Sequence, residues 1–230
     1  MRNWLLLDLG LMDYRKAWAL QLHLLKARVE NVLDKDIVLF VEHPAVFTLG
    51  RRGGFENLRV SEAFLQHHGI EVARVERGGD ITYHGPGQLV AYPIVHLRTM
   101  GFGVLDFVEG LEKSMICTTA QWGIPAERNS RNRGAWVGSN KIGSVGIAVR
   151  RSISFHGSAL NVNTDLDPFT WMHPCGLRDV GMTSMRQELG REIPMGEVKE
   201  IARQCMEDAF SVSFLSTSMK EIEAVLGARP

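Results

Sequence analysis

Apolar residues along the chain fall into two alternating rhythms, and these predict its elements. Trp4 to Leu9 reads as a first strand. Asp13 then stands in N-cap position before a helix whose apolar positions Trp18, Leu22, Leu25, Val29 and Val32 recur every four and three residues, which predicts that this stripe faces the core. Ile37 to Val41 is a run of β-branched and aromatic residues, as in a strand buried on both faces. Glu42-His43-Pro44 interrupts it, Val46 to Leu49 resumes as a strand, and Arg51 to Gly54 makes a basic turn. Ser61 to His68 reads as a short helix closed by Gly69, and Ile70 to Val75 and Leu89 to Val95 as strands.

Val104 to Gln121 is a second long amphipathic helix through Val104, Phe107, Val108, Leu111 and Met115, with Gly123 and Pro125 beyond its end. Ala126 to Gly134 is polar and is expected to be a loop with a mobile tip. Ala135 to Val137, Ile142 to Val149 and Ser152 to Asn161 read as strands, and Asp165 to Val180 shows no periodicity. Helix returns over Met195 to Phe210, with capping-box pairs at Ser184/Gln187 and Ser218/Glu221. Strands in the middle and helices around them, without strict alternation, predict an α+β fold: a single domain over residues 1–230, with a mixed or antiparallel sheet flanked by helices. No linker, repeat or low-complexity tract divides it. From about residue 190 to 230 a C-terminal helical appendage is expected.

Charge narrows the partners. Lysine plus arginine balances aspartate plus glutamate at 26 each, which speaks against nucleic acid as the main partner. No run approaches the roughly 18 apolar residues of a membrane span. The N-terminal apolar stretch is short and meets Asp8 too early for a secretory signal, so no membrane role is expected. The cysteines, Cys117, Cys175 and Cys205, are odd in number, far apart and without C-x-x-C spacing. That argues against a disulfide framework or a cysteine zinc site and for a cytoplasmic setting.

Chemistry concentrates in Arg77 to Gln88, RGGDITYHGPGQ, where four glycines stand among Arg77, Asp80, Tyr83 and His84. Such a cluster marks special dihedrals or close approach of main chain to a ligand. Cys117 and Cys205 lie within helical patterns and read as small buried hydrophobes. Cys175, between Pro174 and Gly176 in an aperiodic segment, is the candidate nucleophile, and a thiol there needs a positive neighbour or a base. Strand alternation puts Lys141 on a face with Gly143, Val145, Ile147 and Val149; from spacing alone a snorkelling strand end is the weightier reading, a partly desolvated amine the other. His43, His84 and His156 each read equally as base, ligand donor or structural histidine. No paired-histidine spacing suggests a metal, and the common nucleotide and hydrolase-elbow motifs are absent.

RGGDITYHGPGQ followed by LVAYP, EHPAVFTLGR from Glu42, KIGSVGIAVRR from Lys141, FHGSALNVN from Phe155 and PCGL from Pro174 together resemble the lipoyl(octanoyl) transferase family, in that family's order and over about residues 5 to 190. The resemblance implies a biotin/lipoate ligase-like fold. It implies transfer of an octanoyl group from octanoyl-acyl carrier protein, through a cysteine thioester, to the target lysine of lipoyl domains in 2-oxo-acid dehydrogenase complexes or of the glycine cleavage system H protein, the first step of endogenous protein lipoylation. By the same resemblance Cys175 is the nucleophile and Lys141 lowers its pKa. Arg77, Gly78, Gly79, Asp80, Ile81, Thr82, Tyr83, His84, Ser144, Val145, Gly146, Gly157, Ser158 and Ala159 form the acyl site.

No metal or other cofactor is implied, since a thioester donor is already activated. Glycines at 78, 79, 143, 146 and 157 would let an acyl chain lie against main chain, with Tyr83 as one wall. Arg51, Arg52, Arg150 and Arg151 are either docking charges for an acidic carrier or solvated strand ends. Gly143 and Ser144 stand where many members of the family carry alanine, and Ser158 where leucine is common, which bears on chain-length preference. Two rivals remain: an ATP-dependent lipoate- or biotin-type ligase, which would not need Cys175, and a non-catalytic acyl-binding protein.

Overall fold

The computed structural model describes residues 2–130, 132–172 and 180–227. In chain order the elements are β1 (Arg2–Leu11), α1 (Tyr14–Val29), β2 (Ile37–Glu42), β3 (Val46–Leu49), α2 (Glu62–His67), β4 (Glu71–Arg74), β5 (Ile81–His84), β6 (Gln88–Ile94), α3 (Leu97–Met100) and α4 (Val104–Ala120). Then come β7 (Glu127–Asn129), β8 (Asn132–Val137), β9 (Asn140–Arg150), β10 (Ile153–Asn161), β11 (Gly181–Met182), α5 (Met185–Leu189), α6 (Met195–Phe210), β12 (Val212–Ser216) and α7 (Met219–Gly227).

Among the described residues, nine strands form one sheet in the order β12-β1-β2-β6-β10-β9-β8-β7, with β11 added beside β9. β12, β1 and β2 run parallel and the strands from β2 through β7 antiparallel, so the sheet is mixed. A small sheet, β4-β3-β5, packs against the start of α1 through Tyr14, Trp18, Val46 and Val75. One face of the large sheet is covered by α4 and α6, where Phe107, Leu111, Met206 and Phe210 meet Trp4, Val38 and Phe40. The other is covered by α1, where Leu20 and Leu24 share a core with Leu39, Val90 and Phe155. Burial on both faces is why β2 and β6 read as unbroken apolar runs. No described helix is long and apolar enough to cross a membrane.

Four expectations change here. First, the buried stripe of α1 is Ala17, Leu20, Gln21, Leu24 and Arg28, with Leu25, while Trp18, Leu22 and Val29 are only partly covered. Polar Gln21 and Arg28 can be buried because each has a partner. Gln21 Oε1 accepts from His156 N at 2.7 Å, and Arg28 pairs with Asp36 at 2.7 Å while donating to Leu33 O. A rule that buries only apolar residues picks the wrong side.

Second, Ala126 to Gly134 is not a free loop but most of the β7–β8 hairpin. Third, the segment expected as a helical appendage supplies β12 to the edge of the main sheet, and α6 packs on α4. Fourth, the Cys117 and Cys205 sulfurs are 2.17 Å apart, joining α4 to α6 as a disulfide across a sequence separation of 88. Nothing local in sequence brings those helices together, so only their packing reveals the pair.

Candidate active site

A cavity of about 790 Å³ opens where β9 and β10 face the glycine-rich stretch. Antiparallel register builds one wall: Gly157 lies opposite Gly146, Ser158 opposite Val145 and Ala159 opposite Ser144. Thus two stretches distant in sequence form one surface. The facing wall is Arg77 to Thr82 and His84, with Tyr14 and Tyr92 deeper in and Val104 and Val108 of α4 opposite. Val104 is therefore not a core residue; it is half exposed at the cavity.

The expected loop turns out to be a strand in its middle, β5, paired with β3. Its first half is pinned by backbone. Gly78 N donates to Ile147 O at 2.8 Å, across to β9, and Gly50, Arg51 and Arg52 donate to the carbonyls of Asp80, Arg77 and Gly79. Arg77 is 8% exposed; it donates to the Thr48 carbonyl at 2.6 Å, to Thr48 Oγ1 and to Gly78 O. Asp80 accepts from Asn57 Nδ2 at 2.7 Å and from Ile81 N, so it shapes the turn.

Below the cavity lies a buried cluster of imidazoles and phenols. His43 Nδ1 donates to Met12 O at 2.7 Å, which leaves Nε2 to accept from the Tyr92 hydroxyl at 2.8 Å. His84 Nδ1 donates to Gln88 Oε1 at 2.6 Å, and Gln88 Nε2 in turn donates to Asn161 Oδ1. His156 is held at φ +56 in mid-strand, a left-handed conformation that costs a non-glycine residue energy and recurs at functional sites; its Nε2 lies 3.4 Å from Glu76 Oε2. Burial pushes His43 and His156 down to about 4 and His84 to about 3, with the Arg77 charge adding to the fall at His84 and His156. Burial raises Tyr14 and Tyr92 above the usual phenol range, partly offset by Arg77. At neutral pH these imidazoles and phenols are therefore uncharged.

Lys141 is 5% exposed and lines the same cavity. Its Nζ donates to Asn132 Oδ1 at 3.2 Å and lies 5.4 Å from the centre of the Trp136 ring. Cys175, the candidate nucleophile, lies outside the described residues. The other expected site residues line the cavity, with one exception. Side chains alternate along β5, so Thr82 and His84 face the cavity while Tyr83 turns away to pack on Phe47 and Phe169, and burial pushes its phenol up to about 12. Tyr83 is not a wall of the site. Tyr14, Asn132 and the α4 valines are lining residues that sequence reasoning missed. Only the position of Tyr14, directly after a helix cap, offered any signal.

Two of the glycines are also closely packed within the protein. A Cβ at Gly143 would stand 2.7 Å from Met115 Sδ, and one at Gly157 would stand 1.9 Å from Ala91 O on β6. At Gly157 the neighbour is backbone, so a side chain there has no room. Gly157→Ala should therefore destabilise the fold by about 2–3 kcal/mol, since a backbone carbonyl cannot step aside. Urea unfolding measures this, and an unchanged midpoint would mean that β6 and β10 can part.

This mixed sheet with a cavity between β9–β10 and a glycine-rich turn is the fold of a lipoate ligase. The crystal structure of lipoate-protein ligase A bound with ATP matches it with a TM-score of 0.78 over 99% of this chain and 93% of that one, at 19% identity, a likeness of fold alone. Residues 13–207 match the family model for the lipoyl protein ligase A/B catalytic domain. The chain is 45% identical over 220 residues to an octanoyltransferase of Desulfotalea psychrophila, covering 95% of this chain and 99% of that protein. It is 46% identical over 226 residues to an octanoyltransferase of Syntrophobacter fumaroxidans, covering 98% and 99%. The chain belongs to the lipoyl protein ligase A/B catalytic family, among its octanoyltransferases.

Proposed function

We propose that octanoyl transfer by this chain passes through a thioester on Cys175, with Lys141 carrying the proton. As an octanoyltransferase it is an acyltransferase of protein lipoylation, moving an acyl group from a donor to a lipoyl-domain acceptor. In this reading the donor is octanoyl-acyl carrier protein, and the acceptors are lipoyl domains of 2-oxo-acid dehydrogenase complexes and the H protein of glycine cleavage. The observation that carries it is β11. It begins six residues after Cys175, and its Met182 pairs with Lys141 itself. Thr183 N also donates to the Lys141 carbonyl at 3.0 Å, so the chain that follows Cys175 is tied to Lys141. The disulfide takes the other two cysteines, leaving Cys175 as the thiol.

The steps balance without a cofactor. A Cys175 thiolate paired with a Lys141 ammonium attacks the donor thioester carbonyl; the donor's sulfur leaves and takes a proton from Lys141. The acceptor's lysine amine then attacks the enzyme thioester. Its surplus proton passes to the now neutral Lys141 as the Cys175 thiolate leaves, restoring the pair. Burying an octanoyl chain is worth at most about 6 kcal/mol at roughly 0.8 per methylene, enough to hold the carbonyl in place. Arg51 and Arg52, on the cavity rim, suit an acidic carrier; Arg150 is already engaged by Glu76 at 3.9 Å and by the Phe155 ring.

Incubation with octanoyl-acyl carrier protein alone should leave the protein heavier by one octanoyl group, mapped by peptide mass to Cys175. Addition of an apo lipoyl domain should discharge it. Absence of the adduct, with transfer appearing only on addition of ATP and free octanoate, would replace this reading by the ligase. An adduct that no lipoyl domain discharges would point to a binding protein.

A further inference from the structure

Glu112 on α4 is 1% exposed, and its carboxylate is turned toward the β7–β8 hairpin. Its Oε1 accepts from Gly134 N at 2.8 Å; its Oε2 lies 3.2 Å from an Arg133 guanidinium nitrogen and 3.3 Å from Arg128 Nε. Glu109 lies outside it, between the same two arginines, at 3.6 Å from Arg133 and 3.7 Å from Arg128. A buried carboxylate is tolerated only when its lone pairs are met, and here both oxygens bind the one hairpin.

That hairpin holds Lys141. Gly134 has φ +136, and a Cβ there would lie 2.7 Å from Lys141 Cε and 2.2 Å from Gly143 O, so its bare main chain abuts the lysine stem. Two residues earlier, Asn132 Oδ1 accepts from Lys141 Nζ, and the Asn132 carbonyl is itself held by Trp136 Nε1 at 3.1 Å. A register shift between Ala135 and Trp136 brings Trp136 opposite Lys141. Such bulges re-aim side chains beside active sites.

We infer that Glu112 is a positioning residue for Lys141: by gripping Gly134 and the hairpin arginines it fixes the strand against which the lysine stem packs and the asparagine that orients the amine. This rests on the reading of Lys141 as the acid–base partner. Glu112 does not line the cavity, so its loss should disturb the chemistry and leave donor binding alone.

The test compares Glu112→Leu, Glu112→Asp and Lys141→Ala in the full chain. Far-UV circular dichroism and urea midpoints check folding. Single-turnover acylation by octanoyl-acyl carrier protein gives rate and KM, and Cys175 alkylation by iodoacetamide is followed against pH. Glu112→Leu is expected to acylate at least about tenfold more slowly with donor KM within about twofold. Its alkylation midpoint should move upward, in the direction of Lys141→Ala. Glu112→Asp, whose carboxylate is one methylene short of Gly134, should fall between. A folded leucine variant with the wild-type rate and alkylation profile would overturn the inference. If leucine prevents folding, the aspartate variant decides by the same measure. Should Lys141→Ala itself leave the profile unmoved, the role of Lys141 fails; should it move the profile while the Glu112 variants do not, only the role of Glu112 fails.

Discussion

Lys141→Ala should slow octanoyl transfer by about a hundredfold or more with little change in donor KM, and Cys175→Ser should remove the covalent intermediate altogether. The size follows from what a positioned proton carrier contributes, about 10²- to 10⁴-fold. Lys141 is almost wholly buried, lines the cavity, and is held by Asn132 beside the Trp136 ring. In the proposed mechanism an ammonium there would stabilise the Cys175 thiolate by charge attraction. The wild-type Cys175 alkylation rate should therefore titrate below the free-thiol value near 8.5 and move back toward it in the alanine variant. Steady-state kinetics with alkylation rates across pH measure both. A Lys141→Ala enzyme with wild-type kcat would return Lys141 to the snorkelling strand end its spacing first suggested.

Acidification from pH 7 to 5 should destabilise the fold by several kcal/mol. His43, His84 and His156 are buried, with pKa values pushed down to about 4, 3 and 4, mainly by loss of water. In the unfolded chain each returns to about 6.5. Below that value the unfolded state binds more protons than the native one, so stability is complete above about 6.5 and is lost as pH falls toward 4. For one such histidine the loss between pH 7 and 5 is about 2 kcal/mol. Three together approach the whole stability of an ordinary domain. Neighbouring charge is part of these shifts: His43 and Arg77 lower His84, and Arg77 lowers His156. Urea unfolding at the two pH values checks this, and equal midpoints would mean that the imidazoles are protonated as readily in the fold as in water.

Much of the architecture was legible because it is local. The caps are examples: Asp13 accepts from Lys16 N, Ser61 from Phe64 N, and Ser218 and Glu221 bond each other reciprocally, all within three residues. The limits of α6 follow in the same way from its own periodicity. The motifs identified the family because their residue order survives without knowledge of any contact. Whatever depended on a distant partner was hidden. Gln21 and Arg28 look like surface residues until His156 and Asp36 arrive from elsewhere. β12 is a short strand whose sheet partner is β1, two hundred residues earlier in the chain.

The candidate site divides along the same line. The sequence by itself determined the family, the mixed α+β fold and the stretches that line the cavity, since clustered glycines and a lysine at a strand start are local facts. Only the tertiary structure decided which way each side chain faces. It turned Tyr83 into the small sheet, brought Tyr14 and Asn132 to the cavity, and showed that Ala91 O leaves no room for a side chain at Gly157. It also paired Cys117 with Cys205 and aimed Glu112 at Gly134. The physical reason is that orientation is set by register and packing between segments far apart in the chain, and neither leaves a mark on the residues nearby.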